Sequence, residues 1–107
     1  MKLKELEVYS EASNYAVIRA SGRSFPGSLI QGDSLSTLCA EAKKISEFVK
    51  GLHLNNDDIL YLVQDHQEKL LERLLHYQNI LTEHGVDLPY SGQVTNHDLV
   101  KLVSDEE

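Results

Sequence analysis

Apolar residues recur at steps of three and four through two long stretches of this chain, and alternate with polar ones only near its start. In the first long stretch Leu35, Leu38, Ala42, Ile45, Val49 and Leu52 make a single stripe, the signature of a helix with one buried face. Gly32-Asp33-Ser34 precedes it, and Asp33 or Ser34 is placed to accept hydrogen bonds from the free amides of the first turn. Gly51 follows as the expected C-terminal cap. Lys43, Lys44 and Lys50 fall late in the stretch, where they complement the helix dipole. The second stretch begins at Asn55-Asn56-Asp57-Asp58, a capping cluster with acidic residues in the first turn. It runs through Leu60, Val63, Gln67, Leu70, Leu74, Tyr77 and Leu81, widened by Leu71 and Leu75, and ends at His84 with Gly85 as its cap. At 1.5 Å per residue such a helix is about 42 Å long, against a radius of gyration of about 13 Å for a compact chain of this size. The helix must therefore overhang one small core, be broken, or pack on a second copy. The last is the preferred expectation over an unpaired helix lying across the sheet, with the two adjacent helices as a hairpin that pairs into a four-helix interface through Leu60, Val63, Leu70, Leu74, Tyr77 and Leu81.

Ahead of the helices the period changes. Leu3 to Tyr9 reads as a strand with Leu6 and Val8 on one face and Glu5 and Glu7 facing water. Ser10-Glu11-Ala12-Ser13-Asn14 is turn-rich, and Tyr15 to Ala20 is a stronger strand. Ser21-Gly22-Arg23 turns the chain and Ser28 to Gln31 returns it, with Pro26 at a strand start or an edge. After Gly85 the chain is extended to Gly92. Thr95-Asn96-His97-Asp98 then has capping-box spacing, with Asp in the place of Glu, ahead of a short final helix through Leu99, Val100, Leu102 and Val103. Ser104-Asp105-Glu106-Glu107 is expected to fray. The whole predicts an α+β fold of one domain, 1–107. Residues 1–33 form an antiparallel sheet of about three strands, 34–84 the helical hairpin, and 85–107 a loop with the short C-terminal helix.

Composition narrows the functional classes. The 107 residues leave room for one ordinary core. Hydrophobic content of 41% with 25% charged residues is that of a folded globular chain rather than a disordered one. No apolar run reaches the roughly 20 residues of a membrane span. Met1-Lys2-Leu3-Lys4-Glu5 lacks the apolar core of a secretion signal, and no Asn-x-Ser/Thr acceptor occurs. The single cysteine, Cys39, excludes an internal disulfide. The cytoplasm is therefore the expected compartment.

The formal charge of −7 is uneven. Residues 1–30 carry Lys2, Lys4, Arg19 and Arg23 against Glu5, Glu7 and Glu11, four against three, for +1; the remaining −8 lies in residues 31–107. An acidic body disfavours nucleic acid and suits a basic protein partner. Arg19, Arg23 and Lys2 with Tyr9, Tyr15 and Phe25 form a small basic, aromatic group, a weak RNA-binding signature without an RNP-type motif. Arg19, Arg23, Phe25 and Tyr90 are the candidate partner-binding residues.

No catalytic motif stands out. Glu72, His76 and Glu83 lie four and seven residues apart on one helix, so one face presents a histidine and two carboxylates. A divalent metal needs further ligands from a second element, and a solvated face with a Glu–His pair is the simpler reading. Cys39 sits mid-helix among Leu38, Ala40 and Ala42, where cysteine is usually a small buried hydrophobe rather than a nucleophile. His53 and His97 fall in a turn and a helix start. Gly22, Gly27 and Gly32 are spaced by five, matching neither dinucleotide nor phosphate loops. No Gly-x-Ser-x-Gly elbow is present. No cofactor is expected and no enzyme activity is assigned.

Two resemblances add to this. Phe25-Pro26-Gly27, then Gln31-Gly32-Asp33-Ser34-Leu35, then Ala42-Lys43 resembles the strand–helix junction of HicB-type antitoxins. Those have a small sheet packed on a helix and neutralise a small basic RNA-cleaving toxin. The match runs from Phe25 to Lys43; beyond it this chain enters a long helix instead of a further strand, and no DNA-binding C-terminal segment is evident. More broadly, Glu7-Val8-Tyr9-Ser10-Glu11-Ala12-Ser13-Asn14, the block from Arg23 to Leu35, and His76-Tyr77 through His84-Gly85-Val86-Asp87-Leu88-Pro89-Tyr90 look like a family of small bacterial proteins known only as a domain of unknown function. That family brings no catalytic residues to carry over. The leading expectation is a non-enzymatic protein-binding module, an acidic inhibitor of the immunity or antitoxin type acting on a basic protein. The alternatives are a homodimeric structural or regulatory protein with weak RNA binding by its sheet, and a small enzyme using Cys39 or the Glu72–His76–Glu83 face.

Overall fold

The structure, a computed structural model, describes residues 2–11 and 15–103. Most of the expected turn at 10–14 and the whole tail at 104–107 lie outside the described residues. The architecture is α+β: a three-stranded antiparallel sheet, two long antiparallel helices, and a C-terminal segment that runs back along the second helix.

The strands are shorter than the alternation predicts. β1 is Glu7–Ser10, β2 Val17–Arg19 and β3 Gly27–Ser28, in the order β1-β2-β3. Glu7 pairs with Arg19 and Val8 with Ile18, and a register shift between Val8 and Ser10 brings Ser10 opposite Val17. Gly22, at φ 81°, sits third in the turn that the Arg23 amide closes on the Ala20 carbonyl at 3.1 Å, where a type II turn requires a left-handed residue. β3 begins directly after Pro26, which cannot donate to a ladder. The expected division into a buried face and a wet face fails here. Leu6 and Val8 are both exposed, as are Tyr9, Tyr15, Phe25 and Leu29. The sheet therefore stands clear of the helices, and Ile30 is its nearest side chain packed against the core.

Helix α1 runs Gly32–Gly51, two residues earlier than the cap residues suggest. Its N-cap is Gln31, whose side chain makes no capping bond, and the Asp33 carboxylate accepts instead from the adjacent Ser34 amide at 2.8 Å. The early start has a packing cause. Gly32 is buried under Tyr77 of the next helix, and a Cβ there would overlap the tyrosine ring and hydroxyl. At the other end Gly51 remains helical, and the left-handed residue of the connection is His53, at φ 52°. Helix α2 is continuous over Asp57–Glu83, about 40 Å of helix in a molecule 49 × 30 × 29 Å across. Asn56 caps it by accepting from the Ile59 amide at 3.2 Å. Gly85, at φ 66°, ends it: its amide reaches the Thr82 carbonyl and the Val86 amide the Leu81 carbonyl, the paired bonds of a Schellman end.

Both helices are rolled by about one residue from the stripe that periodicity selects. On α1 the buried positions are Gly32, Leu35, Cys39, Ala42 and Ser46; on α2 they are Gln64, Gln67, Leu71, Leu74 and Gln78. Small and polar side chains have gone in, while Leu38, Ile45, Phe48 and Leu52 on α1 and Ile59 and Leu62 on α2 face out. The core is Leu35, Cys39, Leu71 and Leu74, flanked by Ile30, Leu70, Leu75, Tyr77, Tyr90, Val94 and Leu99. The last three belong to the returning segment. Where a short C-terminal helix was expected, that segment makes one 3-10 turn, Asn96–Asp98, and continues extended.

Candidate functional site

Three buried glutamines on α2 explain why the C-terminal segment is extended. The Gln78 side-chain amide donates to the Val94 carbonyl at 3.0 Å and accepts from the Val94 amide at 3.1 Å. Gln67 treats Val100 the same way, donating at 2.9 Å and accepting at 2.8 Å. Gln64 accepts from the amides of Leu102, at 2.6 Å, and Val103, at 2.9 Å, and donates to Glu68 at 3.2 Å. A glutamine amide has the donor and acceptor of a peptide group, so Gln67 and Gln78 each play the part of a neighbouring strand, while Gln64 acts on the strap as an acceptor alone. Tyr90 adds its hydroxyl, donated to the Gln78 oxygen at 2.9 Å. Among the described residues every buried side-chain nitrogen and oxygen has a partner. For these glutamines most of the partners come from a segment we call the strap, residues 91–103.

Between the gripping points the strap is pinned once more. Thr95 and Asp98 form a reciprocal capping box: the Thr95 amide donates to Asp98 Oδ2 at 2.8 Å and the His97 amide to Thr95 Oγ1 at 3.2 Å. The other carboxylate oxygen accepts from Lys43 Nζ of α1 at 3.0 Å, tying strap to hairpin. The Thr95 amide and Lys43 together hold the Asp98 carboxyl below its ordinary range. Under the strap lies a cavity of about 260 Å³ whose lining includes Cys39, Lys43, Leu71, Gly92, Val94 and Asp98. Burial, with Asp98 adding to it, pushes the Cys39 thiol up, so the neutral form is favoured and the thiolate needed of a nucleophile is not. Burial also raises the Tyr90 phenol.

The sheet holds the second cluster of candidate residues. Arg19 is ion-paired with Glu7 on the facing strand, and Tyr9 donates its hydroxyl to the same carboxylate at 3.0 Å. These contacts draw Glu7 below its usual range and raise Arg19. Arg23 lines the same hollow as Arg19, together with Glu5 and Glu7, so both arginines face carboxylates of their own chain. Phe25 is 81% exposed. Tyr90, proposed from sequence as a fourth member, is elsewhere: it is half-buried under the strap and bonded to Gln78.

Of the residues predicted to bind a second copy, Leu74 is fully buried against α1 and offers no surface. Leu70 and Tyr77 pack on the same core, and Leu60, Val63 and Leu81 are half-buried. Glu72, His76 and Glu83 are all exposed, and among the described residues no group of three or more His, Cys, Asp or Glu side chains is placed to hold a metal ion. No helix among the described residues is long and apolar enough to cross a membrane.

The model of a family of unknown function, DUF6959, matches residues 1–90. The chain belongs to that family. The DUF6959 match spans the sheet, both helices and all three glutamines, and stops at the start of the strap. No curated protein and no solved structure matches the chain.

Sequence reasoning overlooked the glutamines by treating Gln67 as a filler in an apolar stripe. The signal was present. Gln64, Gln67, Leu71, Leu74 and Gln78 step by three and four as regularly as the stripe chosen, and a buried glutamine requires a partner of matching polarity.

Proposed function

We propose that this DUF6959 member is a non-enzymatic protein-binding module whose N-terminal sheet is the docking surface. One observation carries the reading: the sheet presents Val8, Tyr9, Tyr15, Phe25 and Leu29 to solvent, with Phe25 at 81% exposure, instead of burying one face on the helices. Large aromatic and aliphatic side chains left exposed over one segment of a folded chain are candidates for an interaction surface. The occupant is a basic protein, steered at long range by the −8 carried on residues 31–107, while the sheet segment, at +1, supplies apolar contact rather than charge complementarity. The local resemblance to HicB-type antitoxins supports inhibition of a basic enzyme as the finer form of this reading. The test is affinity capture of tagged protein from its native host, with mass spectrometry and light scattering, in parallel with Phe25→Asp. A basic protein held in stoichiometric amount by the parent and lost from the variant, with unchanged circular dichroism, supports the proposal. Recovery of no stoichiometric protein, or equal recovery by both, overturns it.

A second reading is favoured by the rolled helices. Leu38, Ile45 and Leu52 recur every seven residues along the flank of α1 opposite Lys43, and Ile59 and Leu62 stand in the first turns of α2. A homodimer through this flank would complete a four-helix layer, with residues different from those periodicity nominates. Sedimentation of the parent against Ile45→Glu/Leu52→Glu decides: a dimer that dissociates in the variant supports it, and a parent that is monomeric at high concentration removes it.

A further inference from the structure

Within the strap, the α2 glutamines contact backbone groups alone. Gln67 and Gln78 each address the amide and carbonyl of a single strap residue, the bond pair that two antiparallel strands exchange. Such recognition tolerates many sequences, as in proteins that capture an extended peptide along a sheet edge. The seat cannot stand open cheaply, because emptying it would leave buried amides without partners. It can, however, exchange its occupant. No residue from Val86 to Val103 is fully buried; the strap's apolar anchorage rests on part-buried side chains such as Val94 and Leu99, and an element held this way can open locally. The segment leading to it turns at two left-handed glycines, Gly85 at φ 66° and Gly92 at φ 83°. The family match covers the seat and ends before its occupant.

We propose that Gln64, Gln67 and Gln78 form a binding site for an extended, aliphatic-rich peptide segment of a partner protein, and that residues 94–103 are its resident occupant, displaced when the partner binds. This site shares no residue with the sheet surface, so either proposal can fail alone. The strap defines the chemistry that fits: an extended backbone offering amide and carbonyl at the positions of Val94 and Val100, and valine- or leucine-sized side chains around them. No charge or aromatic ring is required at the gripping points.

The experiment uses the full chain and a fluorescent, acetylated peptide of residues 91–103 as the probe. Anisotropy should show saturable binding at one peptide per chain, and the Val100 amide resonance of the labelled protein should move to a released position as the peptide saturates. Asp98→Ala, which removes the capping box and the Lys43 contact from the resident strap, should tighten peptide binding about ten-fold. Thr95→Ala, which removes the Oγ1 acceptor of the His97 amide and keeps both Asp98 contacts, loosens the resident strap less and should tighten binding in the same direction if the first variant folds poorly. A peptide N-methylated at Val94 and Val100 lacks the two amides given to Gln78 and Gln67 and should not bind. The proposal is overturned if no peptide binds to the parent or to either variant while the strap resonances remain native. Equal binding of the N-methylated peptide also overturns it. Doubling of mass in Asp98→Ala without peptide would assign the seat to a second copy's strap and overturn the partner assignment.

Discussion

Gln67 and Val100 face each other as two strands would: the glutamine Nε2 donates to the valine carbonyl at 2.9 Å while its Oε1 accepts from the valine amide at 2.8 Å. Gln67→Leu keeps the volume and removes both bonds. The Val100 groups are then left half-buried without a partner, at a cost of about 2 kcal/mol. Urea unfolding should show that loss, and amide exchange at Val100 and Leu102 should accelerate well beyond exchange in α1. Unchanged exchange at those amides would mean the glutamine does not hold the strap.

The strap should also respond to acid. Asp98 is drawn below its ordinary pKa by the Thr95 amide first and by Lys43 second. A carboxyl depressed in the folded state stabilises it above the unfolded pKa, and that contribution is lost as pH falls through the folded value. The Thr95 amide shift should therefore titrate with a midpoint below 3.8, the ordinary Asp value, and strap exchange should accelerate below it. In Asp98→Asn the transition should vanish. A midpoint at or above the ordinary value would contradict the capping geometry.

Cys39 gives a third prediction. Its thiol lies beneath the strap at 7% exposure with its pKa raised by burial. Alkylation by iodoacetamide at neutral pH should run at least ten-fold slower in the native chain than in urea, and its pH profile should rise above 9.0, the ordinary value. A rate equal to that of the unfolded chain would place the thiol in solvent.

Gly32 and Tyr77 meet closely where α1 begins against α2. Gly32→Ala places a methyl group in the tyrosine ring and should destabilise by about 1–3 kcal/mol. Tyr77→Leu opens that space, so the double variant should lose less than the two single changes together. Additive losses in a thermal-unfolding cycle would show that the glycine is required for another reason.

Local signals in the chain were legible at three ends and misleading at two: Asp33 or Ser34 was expected to cap α1 and Gly51 to end it, yet the N-cap is Gln31 and Gly51 stays helical. Asn56 caps α2, Gly85 ends it, and Thr95 with Asp98 closes a capping box, because each acts over one turn without help from the rest of the fold. The rotation of the helices was not legible in the same way. Periodicity alone allows two registers on α2, one through Leu70 and Leu81 and one through Gln64 and Gln78, and hydrophobicity favours the first. The second is chosen because the strap supplies hydrogen bonds from tens of residues away. The same distant contact keeps Leu99 to Val103 from forming the helix their sequence suggests, since a helix would keep their amides to itself. Arg19 shows the opposite case: its pairing with Glu7 depends on the register between β1 and β2, which no single residue decides.

Because the strap follows α2 in the chain, it is also made after it. A nascent chain that has just completed the second helix holds three glutamines with nothing to pair but water, and an apolar core still open on one side. Closure therefore waits for residues 94–103 to emerge. Until then the half-built protein presents to its surroundings a surface suited to any extended chain that passes.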